Sequence, residues 1–220
     1  MTASSLPGLE RLMSTCERLG LALRTEPPGH APPRAGTRVA GHVLDPMLAA
    51  VYSRLGKAAF ATDAAGLVLF RVNEDENELE RENRWEPGSP LEQVALPVFL
   101  FGGEPGLACS YATVPSLADT RGLQPVVLVD THEEPYVLPV ASNVDDFFCT
   151  WSHYLEALVA QPDYTHYGSA ALTFPWGVPG LLARDRKLVE SLRAGRFDPL
   201  MKKTDSTAHW VSQVLSAAAP

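Results

Sequence analysis

Two clusters of side chains in this chain could do chemistry, and each has a plainer reading. Cys149 and His153 stand four apart in V-D-D-F-F-C-T-W-S-H-Y-L-E-A-L, which puts thiol and imidazole on one face of a helix. Reactive cysteines occupy helix N-termini or electropositive pockets. Cys149 lies mid-helix among aromatics, so the thiol reads as core packing and the imidazole as surface. Asp130, His132, Glu133 and Glu134 form an acidic turn ahead of Pro135. A zinc protease would need H-E-x-x-H on a helix, and no second histidine is in register. The turn reads as solvated, or as a contact surface.

Other motifs fail on spacing. Gly56-Lys57 lacks the glycine and the hydroxyl residue of a phosphate loop. Gly102 and Gly103 lack a G-x-G-x-x-G and a following helix, and read as a tight turn. No G-x-S-x-G elbow occurs. Cys16, Cys109 and Cys149 are far apart with no CxxC, so buried free thiols are expected. The expectation is a protein with no catalytic residues, no metal and no cofactor. A small hydrolase using Cys149 or Asp130 is the lesser alternative.

Charge is compatible with a basic protein partner. The formal net charge of −8 argues against nucleic acid, whose binding depends on clustered Lys and Arg, and suits a basic protein. Asn73 to Glu86 holds seven acidic residues against two arginines. It reads either as a solvated surface or as an acidic contact surface with Trp85 as aromatic anchor. The candidate contact residues are Glu74, Asp75, Glu76, Glu78, Trp85, Asp130, Glu133 and Glu134. No apolar run approaches the roughly 20 residues of a membrane span. The charged N-terminal segment is unlike a secretory signal, so no membrane and a cytoplasmic address are expected.

The elements that must position these residues follow from periodicity and turn chemistry. Leu6 to Leu23 reads as an amphipathic helix capped by Ser5. Thr25 to Thr37, with four prolines and two glycines, reads as a linker unable to form helix or paired strand, leaving the first helix as a separate arm. Asp45-Pro46 starts a short helix that Gly56 ends. Lys57 to Thr62 and Leu67 to Val72 form a hairpin. A central hairpin, Val94 to Phe101 and Leu107 to Val114, turns through Gly102 to Gly106. Gly122 to Val129 and Tyr136 to Val140 make a further strand pair. Asn143 caps a helix whose aromatic stripe, Phe147 to Leu158, should lie on the sheet. Leu181 to Ala194 and Thr204 or Asp205 to Ala217 read as C-terminal helices. Arg184 to Lys203 is locally basic and could pack against the acidic stretch in the same or another subunit. The expected fold is α+β: a central, mostly antiparallel sheet of about five to six strands flanked by helices. Three regions are expected, 1–37 (helix and Pro-rich linker), 38–160 (core) and 161–220 (helical extension on the core).

The order of segments resembles a known family. The D-P-started helix ending in L-G-K-A-A-F, the acidic continuation to Trp85, the L-P-V-F-L-F-G-G hairpin, P-V-V-L-V-D, and the V-D-D-F-F helix are together similar to the SUKH superfamily of Smi/Knr-like proteins. The likeness covers roughly Leu44 to Ala160. It implies an immunity protein that binds and neutralises a cognate polymorphic toxin, a basic domain such as a nuclease, with no catalytic residue to carry over. It also implies a second reading, a scaffold or regulator of the Smi/Knr type. Gly56-Lys57 departs from the family's Asn-Gly-like turn, and residues 161–220 lie beyond the likeness.

Overall fold

The computed structural model describes residues 5–72, 77–85, 88–132, 135–164 and 172–218. Seven antiparallel strands form one sheet in strictly sequential order: β1 Leu23–Glu26, β4 Lys57–Phe60, β5 Leu67–Leu69, β6 Phe99–Gly103, β7 Cys109–Thr113, β8 Val126–Asp130 and β9 Tyr136–Ala141. A second, two-stranded ribbon pairs β2 Arg38–Val39 with β3 His42–Val43. The helices are α1 Pro7–Leu19, α2 Pro46–Tyr52, α3 Glu78–Glu82, α4 Val144–Val159, α5 Pro179–Leu182, α6 Arg186–Arg193 and α7 Asp205–Ala217. The fold is α+β as expected, with more strands than expected.

The additional strand corrects the reading of the proline-rich segment. Thr25 and Glu26 pair with Ala58 and Lys57 as part of edge strand β1. Proline removes a donor only from itself, and the run of prolines begins at Pro27, one residue too late to prevent pairing. Nor is α1 a separate arm. It packs along α4, with Thr15 Oγ1 2.9 Å from Ser152 Oγ and Arg11 bonded to Glu156 at 3.0 Å.

The start of α1 is capped from across the chain. Leu6, not Ser5, occupies the N-cap and offers no side-chain bond. The carboxylate of Asp145, in the first turn of α4, instead accepts from the backbone N–H of Gly8 at 3.0 Å and of Leu9 at 3.2 Å. Free N–H groups at a helix start need such an acceptor. Gly8 is required by the same contact, since a Cβ there would lie 2.0 Å from the Asp145 carbonyl oxygen. The helix ends at Leu19, with Gly20 in the left-handed region (φ 67°).

Other caps agree with the sequence. Asp45 accepts from Met47 and Leu48 N–H, and its second oxygen takes the Gln124 N–H at 2.7 Å. Asn143 caps α4 and Thr204 caps α7. The stretch expected as one helix from Leu181 is broken: Asp185 accepts from Leu188 N–H to start α6 and from Ser142 N–H at 2.6 Å beside β9. Gly102 and Gly103 are not in a turn. They belong to β6 between two neighbours, where a Cβ would meet Val68 O at 2.5 Å and Cys109 O at 2.8 Å respectively.

The core sits between the sheet and α4. Tyr111 of β7 lies 4.7 Å from Phe147 and 5.4 Å from Trp151, ring to ring, and Phe101 lies 5.8 Å from Phe147. The last segment joins the same cluster through Phe174, 4.8 Å from Trp151. Trp176 and Trp210 then carry the apolar contact on to α7.

Burial raises the carboxyl of Asp145 above the ordinary carboxylate range, outweighing the N–H bonds that pull it down. The folded chain therefore holds that proton more tightly than the unfolded chain, and the stability this gives at low pH is lost as pH rises through the raised value. Asp145→Asn keeps an acceptor for α1 and carries no charge. In urea unfolding its stability relative to the parent should rise with pH across the carboxylate range. Gly8→Ala should destabilise by about 1–3 kcal/mol, the usual range for overpacking, measured by the same unfolding.

Candidate partner-binding surface

Side chains alternate across a strand, so Ser110 and Leu100, next to Tyr111 and Phe101, face away from α4. On that second face the chain between β5 and β6 builds a wall. Asn77 Oδ1 accepts from Glu80 N–H to start α3. Asn83 then fixes the segment to the sheet: its Nδ2 donates to Leu79 O and to Leu100 O, at 2.8 and 2.7 Å, and its Oδ1 accepts from Leu100 N–H at 2.8 Å. The buried amide of Asn83 thus satisfies both backbone groups of a β6 residue.

Two residues on, Trp85 is held over the sheet, half-buried, its ring 5.6 Å from His42, which lies 5.9 Å from Phe99. Burial, aided by Arg38, lowers the His42 pKa, so this ring is neutral at pH 7. Between Trp85, Arg81 of α3, Arg84 just beyond it, and Leu91 runs a cleft of about 640 Å³, floored by Leu100, Ser110, Val129 and Thr131. The indole N–H of Trp85 is buried and has no hydrogen-bond partner among the described residues.

The expected contact residues separate in space. Trp85 and Thr131, the residue after Asp130, line the same cleft. Asp130 itself pairs with Cys109 in the ladder in which Leu128 pairs with Tyr111, which puts it on the α4 side. Its carboxylate accepts from His132 N–H at 2.8 Å and approaches Cys109 Sγ at 3.5 Å, so it organises its own turn. Glu74, Asp75, Glu76, Glu133 and Glu134 lie outside the described residues.

The described acids of the α3 segment are matched locally. Glu78 accepts from Arg71 N–H at 2.8 Å, Glu80 pairs with Arg84, and Glu82 pairs with Arg81 at 3.0 Å. They bond to arginines of their own neighbourhood and not to the basic C-terminal section. Glu78 is therefore a structural carboxylate.

The Cys149–His153 pair is close but not electrostatically activated. Cys149 Sγ and His153 Nδ1 are 3.8 Å apart. Burial raises the thiol and lowers the imidazole, which opposes the thiolate–imidazolium pair that a cysteine nucleophile needs. Cys16 is pushed up to about 11 and Cys109 to about 12, chiefly by burial. Among the described residues no three His, Cys, Asp or Glu side chains gather as metal ligands, and no helix is long and apolar enough to cross a membrane.

Sequence reasoning missed Asn83 and His42. The first had no signal beyond being polar at the end of an acidic helix, and the second sat beside a segment read as linker. Asn83→Ala would leave buried Leu100 N–H and C=O unpaired, and should destabilise the fold by about 2–6 kcal/mol in denaturant unfolding, from about 1–3 kcal/mol for each of the two orphaned groups. No model of a known protein family matches the chain, and no curated protein and no solved structure is significantly similar to it.

Proposed function

We propose that this protein is a cytoplasmic immunity protein of the SUKH type, which neutralises a basic toxin domain by stoichiometric contact. The observation that carries the reading is Trp85: a half-buried aromatic side chain held by a buried scaffold at the wall of an open cleft. Large aromatic groups of this kind are the commonest anchors of protein interfaces. The acidic residues Glu74, Asp75 and Glu76 precede it in sequence, and the net charge of −8 favours rapid encounter with a basic surface. The raised thiols weigh against hydrolysis through Cys149.

Where an adjacent gene encodes a toxic C-terminal domain, co-expression of this chain with that domain should restore growth, and failure to protect would sink the immunity reading. Capture of a resident protein from cells lacking any toxin would favour the scaffold reading instead. Replacing Glu74, Asp75 and Glu76 together by lysine should slow association at least about tenfold at low salt, with the difference shrinking as salt rises. Trp85→Ala should weaken binding by about 2 kcal/mol or more, mainly through faster dissociation. If both variants bind like the parent in surface-based kinetics while remaining folded, the surface lies elsewhere. Glu78 is left intact in this test because its carboxylate holds the Arg71 backbone.

A further inference from the structure

On the α4 side of the sheet, beyond the end of β6, one carboxyl group has a setting that the interface does not use. Glu104 is half-buried, and its Oε1 accepts from the Tyr111 hydroxyl at 2.7 Å. Its other oxygen has no partner among the described residues. The side chain lines a recess of about 580 Å³ with Tyr154, Phe174, Leu158 and Leu172. Tyr154 spends its hydroxyl on Leu172 O at 3.1 Å, so what it has left to offer is its ring. Among the described residues that line the recess, none is basic. Among the described residues the ionisable neighbours of Glu104 are Tyr111 and Cys109 on β7, Asp130 on β8 and Tyr154 on α4, and none is a basic side chain.

A carboxylate with no cationic partner among the described residues, in a recess walled in part by aromatic rings, is complementary to one kind of group. Charge-assisted hydrogen bonds to a carboxylate are the strong ones, and aromatic faces attract cations. The volume falls within the range of small-molecule sites. We propose that this recess binds an organic ammonium group carried on a compact apolar body, with Glu104 as counter-ion and the rings of Tyr154 and Phe174 as wall. The site is independent of the immunity reading, since it lies on the other face of the sheet from Trp85.

Burial pushes the Glu104 carboxyl up, more than the Tyr111 bond pulls it down, and protonation would remove the counter-charge. The affinity for a permanently protonated amine should therefore fall as pH drops through that raised value. The test is calorimetric titration of the full chain with benzylamine and with its neutral counterpart benzyl alcohol. The parent protein should prefer the amine by at least about tenfold. Glu104→Gln, which retains an acceptor for Tyr111, should bind the two alike. Equal or absent binding of both probes to the parent overturns the proposal, as does amine preference that survives in a folded Glu104→Gln. Should that variant not fold, the pH series on the parent decides. Amine affinity that declines on acidification while alcohol affinity stays level supports the site, and a flat amine profile overturns it.

Discussion

The contact on which most of this structure depends is the packing of Tyr111 against α4. Its ring meets Phe147, Trp151 and Phe174, so a central strand, the main helix and the segment leading to the C-terminal helices share one apolar cluster. Each such aromatic pair adds about 0.5–1.5 kcal/mol beyond the area it buries. The hydroxyl of the same residue reaches Glu104, which allows a polar group to end a buried ring without being orphaned. Removing this side chain would therefore loosen three elements at once.

The two faces of the sheet are built on different principles. The α4 face is filled by interlocking rings and by α1, whose first turn is closed by a carboxylate from the helix it lies on. The second face is held by an amide: Asn83 substitutes for a strand by satisfying both groups of Leu100. A segment fixed through one side-chain amide leaves its other side chains available, and Trp85 lines the cleft for that reason. A rigid support holding a half-buried ring at the edge of a cleft is what a preorganised contact needs.

Much of the scaffold was legible because its signals are local. Asp45-Pro46, Asn143 with Asp145 and Asp146, and Thr204 mark helix starts within three residues of the groups they cap. The hairpins follow from apolar runs about turn residues. What could not be read depends on neighbours distant in the chain. Glycines 102 and 103 look like turn residues, and only the crossing of Val68 and Cys109 shows that they are there to let backbones approach. Asp145 looks like a first-turn acid of its own helix, and its second duty lies 137 residues away at Gly8. For the contact surface, the acidic run and Trp85 were visible in the sequence. The bond of Glu78 to the Arg71 backbone N–H was not, since it needs α3 folded back beside the residues that follow β5, whereas Glu80–Arg84 and Glu82–Arg81 are pairs between near neighbours in the chain.

The long-range cap has a consequence for how the chain is made. Synthesis runs from the N-terminus, so the α1 segment emerges well before Asp145 exists to receive its first N–H groups. An isolated helix of 13 residues is marginal in water. Until α4 follows, the α1 segment has only its own turns and an unmatched apolar stripe of the kind a nascent-chain chaperone holds.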